Sequence, residues 1–191
     1  MINNNTLRQA ALLAALLAAP GVHAAEVAGV RIEDKVKVGG SELVLNGAGL
    51  RSKLFVKVYV GALYVGQKAN TTAAIIDQNG PRRMVLRLLR EMDADTLHGA
   101  LDEGLRNNLS AAELADMKPQ ADQLAGIMKG IGKVREGDSI AIDFGTDGIV
   151  IALNGDAKGK VASGNFARAL LKVWLGEKPA DASLKKALLG G

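Results

Sequence analysis

The sequence predicts an α+β domain, and three observations carry that prediction. Residues 27–65 are rich in valine and leucine with short glycine breaks, which suits strands. From about residue 94 the apolar period lengthens to three or four residues, as in amphipathic helices. Short strand-like runs then return between 135 and 162, ahead of a final helical stretch. Strands, paired helices, strands and helices in that order differ from the strict alternation of a doubly wound sheet.

Taken in order, "VRIEDKVKV" (30–38) and "SELVLNGAG" (41–49) read as a hairpin turning at Gly39-Gly40. "LFVKVYVGALYV" (54–65) reads as a longer strand. Its even positions are wholly apolar, while its odd positions mix Lys57 and Tyr59 with apolar neighbours, as a half-covered face would. "DQNGPRR" (77–83) is a turn and "RMVLRLLRE" (83–91) a further strand. Leu97, Leu101, Leu105 and Leu109 mark a helix over 94–109. Ser110 with Glu113 three residues on predicts a capping box opening the next helix, and Pro119 predicts a break near Lys118. "REGDSIAIDF", "DGIVIAL" and "NGDAKGKVA" suit three short strands, and "NFARALLKVWLG" and "DASLKKALL" suit two helices.

The first 24 residues are read apart from the fold. "MINNNTLRQ" carries Arg8 as its single charge, "AALLAALLAAPG" is an apolar h-region, and "VHA" offers small residues for cleavage after Ala24. The expectation is a signal peptide over 1–24, one domain over 25–191, and a periplasmic location. That h-region is too short to span a bilayer, and no later segment approaches ~20 unbroken apolar residues, so no transmembrane segment is expected in the mature chain.

Composition removes several kinds of chemistry. With no cysteine in 191 residues, disulfides, thiolate catalysis and zinc–thiolate sites are excluded. Lysines and arginines are scattered among acids, and six aromatics in the chain give no stacking surface, so no nucleic-acid partner is expected. His98 stands alone on a helix, without the partners a metal would need. No serine sits in a Gly-x-Ser-x-Gly setting. No cofactor and no metal are expected.

"NGAGLRS" (46–52) begins like a dinucleotide fingerprint, but it lacks the third glycine and precedes a strand, where no helix N-terminus waits for a phosphate. Its glycines are read as a tight bend that permits positive φ or close backbone approach. What remains is Arg51, with Lys53, Lys57, Tyr59 and Tyr64, on or just before an apolar strand. An arginine fork beside an apolar pocket is a natural receptor for a carboxylate, and it is equally at home on the surface where a strand begins.

"FVKVYVGALYVG" (55–66) and "ALLKVWLGEKPADASLKKALL" (169–189), with "DTLHGALDEGLRNNL" (95–109), resemble the chalcone isomerase family, most of all its bacterial exported branch. The resemblance implies an open-faced β-sandwich, a large antiparallel sheet covered on one face by helices, with a cleft between. It places Arg51 at the family's arginine, which holds substrate oxygens in the ring-closing enzymes. Tyr59 falls where those enzymes carry a threonine, Leu97 at a tyrosine position, Gly104 at an asparagine and Val173 at another threonine. Losing one oriented donor costs ~10²–10³ in rate, so the loss of several argues against that chemistry.

A non-catalytic branch of the family binds fatty acids, and the pattern suits it better. The expected function is therefore binding of a small apolar or lipid-like carboxylate by Arg51 and Tyr59, with Lys57 at the rim and Leu97, Leu101, Gly104 and Val173 lining the cleft. Tyr64 and Trp174 are read as core. The alternatives are an isomerase (intramolecular lyase) acting on a polyphenol-like substrate, with Arg51 and Tyr59 as its catalytic pair, and a structural or partner-binding envelope protein.

Overall fold

Four two-residue turns lay out the strands, each with positive φ at both central residues: Ala28-Gly29, Gly39-Gly40, Leu54-Phe55 and Asn154-Gly155. That geometry matches the right-handed twist of the flanking strands and so favours tight antiparallel hairpins. The computed structural model describes residues 25–191, so the expected signal peptide lies outside the described residues. Among the described residues, strands β1 (Ala25–Val27) and β2 (Val30–Ile32) pair only with each other.

The main sheet is built from β3 (Lys35–Val38), β4 (Ser41–Lys53), β5 (Val56–Val65), β6 (Arg82–Leu88), β9 (Ser139–Phe144), β10 (Ile149–Leu153) and β11 (Asp156–Val161). Its order is β11-β10-β9-β6-β5-β4-β3, antiparallel throughout. The short strands β7 (Met92–Asp93) and β8 (Lys133–Val134) pair apart from it.

Helices α1 (Thr72–Ile76), α2 (Ala94–Asn108), α3 (Ala111–Asp116), α4 (Lys118–Ile131), α5 (Gly164–Leu175) and α6 (Ala182–Leu188) complete the chain. The expected capping box forms, with Ser110 and Glu113 satisfying each other's backbone N–H groups. The helical run then breaks at Met117, and Pro119 falls in the first turn of α4, where its missing N–H costs nothing. Pattern reading missed α1, a single turn capped by Thr71.

Side-chain alternation sorts the sheet into two faces. Tyr59, Leu63, Met84, Leu86, Ile140, Ile142 and Ile149 belong to the main core with α5, whose Phe166, Leu170, Val173 and Trp174 are buried. Val60, Ala62 and Tyr64 turn the other way, into a smaller cluster with Ile32, Val38 and Leu43. Among the described residues, both clusters draw their buried side chains from residues 32–188. The helices thus cover one face, giving the large antiparallel sheet of an α+β open-faced sandwich.

The glycines of the 46–52 stretch lie inside β4, not at a bend. A Cβ on Gly47 would fall 2.0 Å from the Ala187 carbonyl oxygen, and one on Gly49 would fall 2.7 Å from the Ala187 Cβ. Gly61 pairs with Gly49 across β5, and the two glycines form a shallow socket for the Leu184 side chain. Of the two expected uses, close approach is the one observed: α6 lies almost directly on the β4 backbone. Asn46 secures it there, donating from Nδ2 to the carbonyls of Leu188 (2.7 Å) and Ala69 (2.9 Å).

Candidate functional site: a buried arginine between sheet and helices

Arg51 occupies the last helix-facing position of β4 before a bulge, directly opposite Tyr59 of β5. The residue is 9% exposed, and its guanidinium carbon sits 5.5 Å from the centroid of the Tyr59 ring. That is within the range of a cation–π contact, which gains strength as water is removed. Among the described residues the Arg51 side chain has no salt bridge and no hydrogen bond. Asp181 comes near, but its carboxylate caps α6 through Leu184 N–H (2.9 Å) and accepts weakly from Ser52 N–H (3.4 Å).

Behind the arginine, the buried Tyr59 hydroxyl accepts a hydrogen bond from Trp174 Nε1 at 2.9 Å. Burial pushes the phenol up to about 12, with the Arg51 charge pulling partly against it. Tyr59 therefore stays protonated at neutral pH. Its own hydrogen finds no acceptor among the described residues, which leaves it able to donate.

In front of Arg51 lies a pocket of about 200 Å³, lined also by Ser52 and Lys53, by Glu103, Gly104 and Asn107 of α2, and by Pro179-Ala180. This is smaller than the ~300–1,000 Å³ usual for ligand sites. The reason is packing at the helix seam. A Cβ on Gly104 would lie 2.6 Å from Val173 Cγ1, so α2 and α5 meet as closely as a glycine allows. Leu97 and Leu101 (each 3% exposed) and Val173 (1%) fill the core beside it.

Of the residues expected to line a cleft, Gly104 alone reaches the Arg51 pocket; Leu97, Leu101 and Val173 are interior packing. Lys57 also departs from expectation. It is exposed, pairs with Ser52 near the hairpin end, and lies outside the pocket that Lys53 borders. Sequence reading missed the Trp174–Tyr59 bond, because their 115-residue separation leaves no local signal. Tyr64 is core as expected, donating its hydroxyl to the Glu33 carbonyl at 2.9 Å. Among the described residues there is no cluster of acids and histidines fit for a metal, and no helix long and apolar enough to cross a membrane.

The sheet, the helix layer and the arginine between them frame a comparison with known proteins. The family described as chalcone isomerase-like matches residues 24–190. The chain belongs to that family. A crystal structure of an Arabidopsis thaliana fatty-acid binding protein superposes on the chalcone isomerase-like domain with a TM-score of 0.66, covering 84% of this chain and 92% of that one. At 18% identity this likeness shows the shared fold. A comparison with curated proteins finds no match.

Proposed function

We propose that this chalcone isomerase-like protein binds, without transforming it, a small apolar carboxylate such as a fatty acid. One observation carries the reading: among the described residues Arg51 packs against Tyr59 at the pocket with no acid paired to it. Its guanidinium nitrogens open on the pocket, and a ligand carboxylate would replace the water there with two charge-assisted hydrogen bonds. Tyr59 does not border the pocket; its ring backs the guanidinium from the core side. That a protein of the same fold binds fatty acids supports the ligand class.

In this reading the 200 Å³ pocket takes the carboxylate and the first carbons, and a longer chain enters by parting α2 from α5 at the Gly104–Val173 contact. The apolar residues Leu97, Gly104 and Val173 supply no donors for stabilising an enolate, so ring-closing isomerase chemistry is disfavoured. The proposed setting is the periplasm, reached by way of a cleavable segment ending at Ala24.

Native mass spectrometry of protein recovered from the producing cell tests the binding. A co-purifying acid that disappears in Arg51→Ala supports the reading. No retained acid, together with no rise in melting temperature on adding fatty acids, defeats it. Following naringenin chalcone absorbance tests the isomerase alternative, and a decay equal to that in buffer is expected.

A further inference from the structure

The turn between β4 and β5 places Leu54 and Phe55 at φ 48° and 67°, a conformation in which asparagine and glycine are favoured and bulky side chains are rare. The three other turns of this kind each include a glycine: Ala28-Gly29, Gly39-Gly40 and Asn154-Gly155. Here the chain uses two large apolar residues instead and leaves them in water. Leu54 is 84% exposed, Phe55 102% and Val56 43%, and these are the exposed large hydrophobics among the described residues. Neither backbone preference nor burial among the described residues explains them.

The flanks supply the second observation. Lys53 and Lys57 bracket the turn, both exposed and neither in a salt bridge among the described residues. The nearby acids, Glu103 and Asp181, lie toward the Arg51 pocket, and Asp181 is engaged as the α6 cap. A bulge between Arg51 and Ser52 separates this tip from the regular register of the sheet.

We propose that the Lys53–Lys57 hairpin tip docks the protein on an anionic lipid surface. Leu54 and Phe55 enter the interfacial layer, and the two lysines extend to headgroup phosphates. A lipid surface fits this patch better than a protein does. Two or three side chains on a projecting turn fall far short of the ~800 Å² per partner that a stable protein interface buries. A bilayer needs no complementary pocket, and paired positive charges beside an apolar tip match its anionic headgroups. Two apolar side chains and two lysines give weak, reversible attachment. The proposal stands apart from the ligand reading, though docking would bring Ser52 and Lys53, which border the Arg51 pocket, to the membrane.

The purified protein is mixed with phosphatidylcholine vesicles with and without phosphatidylglycerol, and binding is followed by co-sedimentation. Binding to the phosphatidylglycerol vesicles that weakens with salt is expected. Replacing the tip by the preferred turn, Leu54→Asn with Phe55→Gly, should reduce binding by about tenfold or more while the melting temperature holds or rises. The pair Lys53→Gln and Lys57→Gln should remove the dependence on phosphatidylglycerol. The proposal is overturned if the wild type ignores these vesicles or if the Asn-Gly variant binds as the wild type does. A tip-dependent dimer in sedimentation analysis without lipid binding overturns it too. Because these vesicles contain no free acid, a failure here leaves the mass-spectrometric test of Arg51 unaffected.

Discussion

Arg51 and Tyr59 face each other across β4 and β5 with 5.5 Å between guanidinium carbon and ring centroid, and among the described residues no carboxylate completes the pair. The aromatic face holds one side of the guanidinium and the pocket leaves the other side open, so an incoming carboxylate would displace water and not an ion-pair partner.

Arg51→Met keeps the stem and removes the charge. The ligand-free melting temperature should change little, since among the described residues the guanidinium has no ion pair or hydrogen bond to lose and faces the pocket. Binding of a medium-chain fatty acid, read by calorimetry, should weaken about 10- to 100-fold, the worth of a charged hydrogen bond of about 1.5–3 kcal/mol. A variant that binds as tightly as the wild type places the carboxylate elsewhere.

Trp174→Phe and Tyr59→Phe each strip one partner from a buried hydrogen bond. Each alone should destabilise by about 1–3 kcal/mol in urea denaturation. Because the two groups satisfy each other, the double variant should cost less than the sum. Strict additivity would show that the 2.9 Å contact contributes nothing to stability.

Gly104→Ala drives a methyl to within 2.6 Å of Val173 Cγ1. Overpacking of this kind costs about 1–3 kcal/mol. Adding Val173→Ala should recover part of that loss, so the pair should show favourable coupling when their unfolding midpoints are compared.

High pH should weaken the fold through its tyrosines. Tyr59 and Tyr64 are each pushed up to about 12, chiefly by burial, whereas an unfolded tyrosine titrates near 10. Between those values the folded chain holds protons that the unfolded chain has released, so stability is full below about 10 and falls as pH climbs toward 12. For Tyr59 the slope is about 1.4 kcal/mol per pH unit. Urea midpoints should drop over this window, and phenolate absorbance should rise together with unfolding. Tyrosines that ionise near 10 in the intact fold would contradict this.

Much of the fold was legible in the chain because its signals are local. Gly39-Gly40 announces a turn, Ser110 with Glu113 a helix start, Pro119 a break, and the leucines at 97, 101 and 105 a buried stripe. The β4–β5 turn was hidden for the converse reason: Leu54-Phe55 carries none of the residues that favour positive φ, so strand β5 was expected two residues too early. Gly47 and Gly49 read as a bend because a sequence shows the missing side chain but not the helix, some 140 residues away, that needs the space.

The site was legible in part. Arg51 and Tyr59 stand out as polar residues on an apolar background, and the structure brings them together. Whether Leu97, Leu101 and Val173 border a space or fill one depends on how closely α2 approaches α5. That distance is set by Gly104 and is invisible in the pattern of either helix.

The glycine track in β4 also governs something at its far end. Gly47 and Gly49 set how low α6 rides on the sheet, and the first turn of α6 is capped by Asp181, whose carboxylate reaches Ser52 beside Arg51. A methyl group under the helix would tilt it like a shim under a beam, and the displacement would arrive at the mouth of the arginine's pocket. Two residues that never meet a ligand thus calibrate the opening through which one would pass.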